Sequence, residues 1–199
     1  MASEPAVSRD LLDGALELAD ALSKASVRYA LIGGLAAGYR TQARFTKDLD
    51  FLLQVPQLQL PGVLEELRRR GFDCDLSTTI REWTQHHMTT LSFRGVRVDW
   101  LKPVVPAYQH VLDRATEEIW QGRPIRVASA EGLILLKLSA WRTQDQLDIE
   151  NLVAAHKDTL DLDWIRAEWA TLADPADQRL ARLVELVAGQ RKTIGEPGA

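Results

Sequence analysis

The chain has little cysteine, no long apolar run and no excess of positive charge. Cys74 is the only cysteine in 199 residues, which excludes an internal disulfide and suits a reducing compartment. No stretch approaches the roughly 18 apolar residues of a transmembrane helix, and residues 1–10 lack the apolar segment of a secretory signal. We therefore expect a cytoplasmic protein that does not use a membrane.

The net charge of −4 argues against a dedicated nucleic-acid coat, which is usually basic. RNA stays open as a substrate, because a local basic surface can act within an acidic protein. The densest basic run, residues 68–70, is explained by the C-terminal end of a helix, where cations suit the helix dipole. Charge alone therefore leaves the function class undecided.

Hydrophobic spacing predicts an α/β (α+β) fold. Apolar residues at helical spacing predict helices at 9–25, 35–40, 58–70, 108–115, 129–141, 144–156, 162–172 and 178–190. Short β-rich segments predict strands at 27–32, 49–55 and 72–76, and hairpins at 89–101 and 118–128. Pro103 and Pro106 mark a boundary. We expect a small mixed β-sheet core flanked by helices in residues 1–105, and a mostly helical C-terminal module in residues 106–199.

Two aspartates open the predicted strand at 49–55. Asp48 and Asp50 are two positions apart, so in a strand both side chains point to one face while Leu49 points to the core. Two carboxylates on one face repel each other unless a cation lies between them. Magnesium fits, because it takes oxygen ligands and also binds substrate phosphates. A capping and turn pair before a strand is the alternative.

Two further features complete a candidate site. Gly33 and Gly34 end the strand at 27–32, and their missing side chains let backbone N–H groups approach a triphosphate. Asp99 lies between Val98 and Trp100 in the strand at 96–101, which makes it the best candidate for a third carboxylate. Three carboxylates can hold two metal ions. A surface position is the alternative for Asp99.

This set of motifs resembles the nucleotidyltransferase superfamily, which has the DNA polymerase β-like fold. The glycine turn, the D-x-D strand and the later strand aspartate carry the resemblance over residues 27–101. The string RFTKDLDF at 44–51 and the segment at 131–152 are similar to the toxin-like nucleotidyltransferases of bacterial type IV toxin–antitoxin and abortive-infection systems. The resemblance implies a nucleotidyltransferase core followed by the helical module.

The resemblance also implies an activity and more site residues. A nucleoside monophosphate would move from an NTP to an acceptor hydroxyl, on tRNA or protein, with Mg²⁺ as cofactor and pyrophosphate as product. A cognate antitoxin is the partner that such systems imply. Lys137 and Asp148 would complete the site: Lys137 would neutralise phosphate charge, and Asp148 would orient Lys137 or act as a base. Arg44 would contact the triphosphate, and Thr46 would donate a hydrogen bond near the turn.

Other interpretations stay open beside this one. Net acidity also suits a small-molecule adenylyltransferase of the antibiotic-modifying type with a cationic acceptor. A non-catalytic module that binds nucleotide or a partner is a further alternative. Lys137 also fits a lysine whose ammonium reaches solvent from an amphipathic helix, and Asp148 fits an exposed helix carboxylate.

Overall fold

The computed structural model describes residues 8–42 and 45–192, and side chains as far as residue 189. The helices are α1 (Arg9–Lys24), α2 (Gly33–Arg40), α3 (Leu60–Arg69), α4 (Leu76–Gln85), α5 (Pro106–Asp113), α6 (Ala130–Ala140), α7 (Thr143–His156), α8 (Leu162–Trp169) and α9 (Gln178–Lys192). The strands are β1 (Arg28–Ile32), β2 (Asp48–Gln54), β3 (Phe72–Asp73), β4 (Met88–Phe93), β5 (Val96–Leu101), β6 (Thr116–Trp120) and β7 (Arg123–Val127). The predicted α/β (α+β) fold class is confirmed.

The strands form one mixed sheet in the order β3-β4-β5-β2-β1-β7-β6. The central pair β2–β5 is parallel, and so is β1–β7, whereas the remaining neighbours are antiparallel. A parallel pair needs a crossover connection, and the chain from β2 to β5 provides one through α3, β3, α4 and β4. This crossover brings two distant segments of the sequence side by side at the centre of the sheet.

Helix α1 packs closely against the sheet. Ser8 caps the helix by accepting a hydrogen bond from the Leu11 backbone N–H. Gly14 faces the sheet, where a Cβ atom would lie 2.9 Å from Phe93 and 3.2 Å from Leu49. Since Leu49 is fully buried and neighbouring strand residues point to opposite faces, α1 covers the face opposite to Asp48 and Asp50.

The predicted strand at 72–76 is only two residues long in the structure, and a helix that the sequence analysis did not predict follows it. Pairing stops after Phe72–Asp73, and α4 begins at Leu76. Asp75 caps this helix by accepting a hydrogen bond from the Thr78 backbone N–H. Thr79 and Trp83 are one helical turn apart, and both are buried. The cap and this spacing are the two sequence signals for α4.

The chain divides into two compact units, residues 1–128 and 129–199. The boundary expected from the sequence, between residues 105 and 106, lies before this observed division between residues 128 and 129. The difference arises because the hairpin β6–β7 joins the sheet, through the parallel pairing of Val127 with Leu31. The second unit is helical throughout its described part, from α6 to α9. Within residues 8–42 and 45–192, no helix has the length and apolar content that crossing a bilayer requires.

Candidate active site

The three predicted carboxylates lie on one face of the central strands. In the parallel register of β2 and β5, Asp50 is directly opposite Asp99 and Asp48 is opposite Arg97. Strands paired this way are about 4.8 Å apart. Asp48 is exposed and Asp50 and Asp99 are half-buried, whereas Leu49 and Val98, which point to the other face, are fully buried. The register therefore places Asp99, the candidate third carboxylate, next to Asp50.

Gly33 lies directly against Asp50. Ile32 pairs with Asp50 across β1 and β2, so the next residue begins α2 beside that carboxylate. Gly33 has a φ of +67°, and a Cβ atom there would lie 2.0 Å from Asp50 Oδ2. Both the backbone conformation and the lack of space therefore require glycine. Gly34 follows inside the first turn of α2.

Arg40 anchors the other end of α2 to the sheet. Its guanidinium donates hydrogen bonds to the carbonyl oxygens of Val127 and Ala128 and to the side chains of Thr116 and Glu118, at 2.6–3.1 Å. The Arg40 side chain is only 15% exposed, so these contacts are shielded from water and hold the helix firmly. The glycine-bearing first turn of α2 is thereby fixed at the acidic face.

Asp99 has two partners that the sequence analysis missed. Thr90, its register partner on β4, donates a hydrogen bond to Asp99 Oδ1 at 2.6 Å. Arg97 Nε donates to Oδ1 at 2.9 Å and to Oδ2 at 2.8 Å. The hydrogen bond and charge of Asp99, together with the charges of Asp48 and Asp50, raise the pKa of Arg97. The sequence contained a signal for the Arg97 contact, because Arg97 is two positions from Asp99 and therefore lies on the same face of the strand.

The donor set of this face fits a magnesium ion. Carboxylate oxygens are the ligands that magnesium prefers, and Asp50 and Asp99 occupy neighbouring register positions. Asp99 is turned toward Arg97 and Thr90. In the part of the chain that the structure describes, no three acidic, histidine or cysteine side chains converge into a ready metal-binding group. The three acids as metal ligands therefore stay a prediction.

The remaining predicted nucleotide contacts of the first unit lie in the segment before β2. Thr46 is half-buried, and its hydroxyl donates a long hydrogen bond of 3.5 Å to the Asp48 carbonyl oxygen. Thr46 is thus two residues from the acidic face, and its role at the phosphates stays a prediction. Arg44 lies outside the described residues.

In the second unit, Lys137 and Asp148 form a buried ion pair. Lys137 Nζ lies 2.5 Å from Asp148 Oδ2, and the two residues are 6% and 2% exposed. The alternatives of a lysine reaching solvent and of an exposed helix carboxylate are therefore wrong. Gln144 Nε2 donates to the other oxygen, Asp148 Oδ1, at 3.1 Å. This geometry agrees with the expectation that Asp148 orients Lys137.

Asp145 belongs to the same buried group, and the sequence analysis missed it. Its Oδ1 lies 3.4 Å from Lys137 Nζ, and its Oδ2 accepts hydrogen bonds from the Arg142 backbone N–H and from Arg142 Nε. Burial opposes the charge of Asp145, but the hydrogen bond from Arg142 and the charge of Lys137 outweigh it and lower the pKa of Asp145. Asp145 therefore both caps α7 and balances Lys137.

Cys74 lies apart from these groups, between β3 and α4. The thiol is half-buried, and burial raises the pKa of Cys74. A raised pKa leaves less thiolate at neutral pH, so the thiol is a poor nucleophile. Cys74 is therefore interpreted as a packing residue.

Comparison with solved structures shows the class of fold. The solution structure of the antibiotic-resistance factor ANT(2'')-Ia is similar over 91% of this chain and 97% of that chain, with 14% identity and a TM-score of 0.54. An antigenic nucleotidyltransferase-like protein from Paracoccidioides brasiliensis matches over 92% and 94%, with 16% identity and a TM-score of 0.49. The lincosamide antibiotic adenylyltransferase LnuA matches over 67% and 90%, with 21% identity and a TM-score of 0.46. A comparison with curated proteins finds no match.

The similarity to ANT(2'')-Ia shows a nucleotidyltransferase-like fold. The family is shown by sequence, since the model of the nucleotidyl transferase AbiEii toxin family of type IV toxin–antitoxin systems matches residues 17–198. The chain belongs to this family. The resemblance noted for residues 27–101 and 131–152 is thereby confirmed, and nucleotidyl transfer is the reaction class of the protein.

Proposed function

We propose that the protein transfers a nucleoside monophosphate from an NTP to a hydroxyl of tRNA or of a protein, with magnesium, as the toxin of a toxin–antitoxin pair. The observation that carries the proposal is the juxtaposition of Asp50 with Asp99 in register and with Gly33 in contact. The match to the toxin family over residues 17–198 supports the biological context. A cytoplasmic location follows from the NTP substrate and from the tRNA or protein acceptor.

The proposed metal ligands are Asp48, Asp50 and Asp99. Bound at these carboxylates, magnesium would neutralise phosphate charge and make the acceptor hydroxyl a better nucleophile. Asp50 is central, because it neighbours Asp99 across the strands and Asp48 along its own strand. Thr90 holds Asp99 from the far side with a 2.6 Å hydrogen bond, which restricts the rotation of that carboxylate.

The proposed phosphate contacts are the backbone N–H groups at the start of α2. Ile32, at the N-cap position, makes no side-chain capping hydrogen bond, and the first N–H groups of the helix and the positive end of its dipole suit an anion. Gly33 and Gly34 have no side chains of their own to block the approach to these N–H groups. Thr46 and Arg44 are the proposed side-chain contacts, in the segment that leads into β2.

Lys137 is proposed to neutralise phosphate charge, with Asp148 as its orienting partner. The resemblance is the source of this role, and the 2.5 Å contact of Lys137 with Asp148 supports the orienting part. A buried ion pair also has a structural role, because loss of one partner leaves the other as an uncompensated buried charge. The two roles differ in one prediction: only the catalytic role requires a loss of transfer in a variant that is folded and as stable as the wild type.

Label transfer tests the proposed acceptor. Each of the four α-³²P-labelled NTPs is incubated with the protein and magnesium, together with total tRNA, cell protein or a panel of aminoglycosides. Label on tRNA or protein supports the proposal and identifies the base. Label on an aminoglycoside alone establishes the small-molecule adenylyltransferase instead. Absence of label on every acceptor, with magnesium-dependent NTP binding, supports the non-catalytic module.

The antitoxin partner is tested in cells. Expression of the chain is expected to arrest growth, and Asp50→Asn is expected to relieve the arrest without lowering the amount of protein. Co-expression of the neighbouring gene of the same operon is expected to restore growth with the wild-type toxin. Label transfer in the lysate shows whether the expressed wild-type protein is active. If cells that contain the active protein continue to grow, the toxin role is contradicted, but the proposed transferase activity is not.

A further inference from the structure

A positive charge lies among the three acids of the candidate site. Arg97 occupies the register position opposite Asp48 and precedes Asp99 by two residues on β5, so it shares their face of the sheet. Its side chain is 58% exposed, whereas that of Asp99 is 24% exposed. Arg97 is therefore a surface residue that reaches inward to a more buried carboxylate.

The contact engages both oxygens of Asp99. Arg97 Nε donates to Oδ1 and Oδ2 at 2.9 and 2.8 Å, and a long contact of 3.5 Å joins its Nη2 to the Thr90 hydroxyl. A divalent cation at Asp99 needs the lone pairs of the same oxygens. Arg97 and the cation are thus alternative partners of one carboxylate, and they also repel each other electrostatically.

We propose that Arg97 is a built-in competitor of the divalent cation at Asp99. By occupying that carboxylate, it keeps the three acids from holding a free cation tightly. The cation then enters most favourably together with the triphosphate, whose negative charge offsets the guanidinium. Arg97 is a positioning residue in this account, since it acts through Asp99, and the inference rests on the proposed metal ligands.

Binding of Mn²⁺ alone, without nucleotide, tests the inference. Arg97→Gln removes the charge and retains a polar side chain, so it is expected to bind Mn²⁺ about tenfold more tightly than the wild type, as one fewer nearby charge implies. The matched control is Arg94→Gln. Arg94 is also 58% exposed on the β4–β5 hairpin, but it pairs with Asp10 and Asp13. Arg94→Gln makes the same change in net charge as Arg97→Gln and is expected to leave the affinity for Mn²⁺ unchanged.

Free Mn²⁺ is measured by its electron paramagnetic resonance signal, after thermal melting has shown that each variant is folded. Equal or weaker binding by Arg97→Gln would overturn the inference, and so would an equal gain in Arg94→Gln. Asp99→Asn added to Arg97→Gln is expected to abolish the gain, because the competition is for that carboxylate. If wild type and Asp50→Asn bind Mn²⁺ alike, the proposed metal ligands fail. If only the competition by Arg97 is wrong, Asp50→Asn still weakens Mn²⁺ binding, so the two failures can be distinguished.

Discussion

Gly33 and Asp50 are so close that no side chain fits between them. A Cβ atom on residue 33 would lie 2.0 Å from Asp50 Oδ2, 2.5 Å from its Cγ and 2.7 Å from its Cβ. The contact joins the turn that begins α2 to the middle carboxylate of the acidic face. A phosphate bound at that turn would therefore lie beside the proposed metal ligands.

Replacement of Gly33 tests this contact. Gly33→Ala is expected to lower the free energy of unfolding by about 2 kcal/mol or more, since the positive φ and the clash with Asp50 both oppose a side chain. Label transfer is expected to be lost even at a temperature where the variant is folded. Urea denaturation and the transfer assay measure the two effects.

Gly62→Ala is the matched control. Gly62 lies in α3, and a Cβ atom there meets nothing within 4 Å. This substitution is expected to leave transfer intact and to change stability by at most about +1 kcal/mol, because alanine favours a helix. A Gly33→Ala variant as active and as stable as Gly62→Ala would show that the close contact is unimportant.

The buried ion pair of the second unit gives a stability prediction. Lys137→Met leaves Asp145 and Asp148, which are 3% and 2% exposed, without their shared cation. Breaking such a pair from one side costs about 3–5 kcal/mol. Urea denaturation is expected to show this loss.

Lys157→Met, at the half-exposed end of α7, is the comparison and is expected to change stability little. If Lys137→Met costs no more than Lys157→Met, the ion pair is not structural. Retained transfer in a folded Lys137→Met variant would refute the proposed role of Lys137 at the phosphates.

The anchor of α2 gives a further prediction. Arg40→Gln removes hydrogen bonds to Val127, Ala128 and Glu118 and is expected to cost about 2 kcal/mol, because these bonds are charged and shielded. Arg28→Gln is the control. Arg28 pairs with Asp113, and both side chains are about half exposed, so its loss is expected to cost roughly 0–1 kcal/mol. Equal effects of the two substitutions would contradict the anchoring of α2 by Arg40.

Local patterns predicted most of the elements and the acidic strand. Asp48 and Asp50 lie on one face of the strand and Leu49 lies on the other. This alternation follows from strand geometry alone, so one sequence segment was enough to predict it. Asp99 was selected as the third carboxylate on chemical grounds, whereas its register opposite Asp50 is seen only in the structure. Neither strand segment by itself encodes which strand becomes its neighbour.

The features that the sequence analysis missed depend on tertiary contacts or on weak local signals. The β6–β7 hairpin was predicted, but its place in the sheet depends on pairing with β1. Thr90 reaches Asp99 only through the β4–β5 register. Helix α4 was missed because its first turn contains Ser77, Thr78 and Thr79, which are weak helix formers, although Asp75 is a good helix cap. Asp145 resembled an ordinary acid in the first turn of a helix until its burial beside Lys137 was known.

Label transfer by Asp50→Asn is the most direct test of the central claim, that the acidic face performs nucleotidyl transfer. Asp73→Asn serves as the control, because Asp73 is an exposed aspartate on β3 of the same sheet. With magnesium and α-³²P-labelled NTPs, Asp73→Asn is expected to match the wild type, whereas Asp50→Asn is expected to lose at least about 100-fold in rate, the scale of losing a charge-stabilising group. Wild-type rates in a folded Asp50→Asn variant would contradict the account.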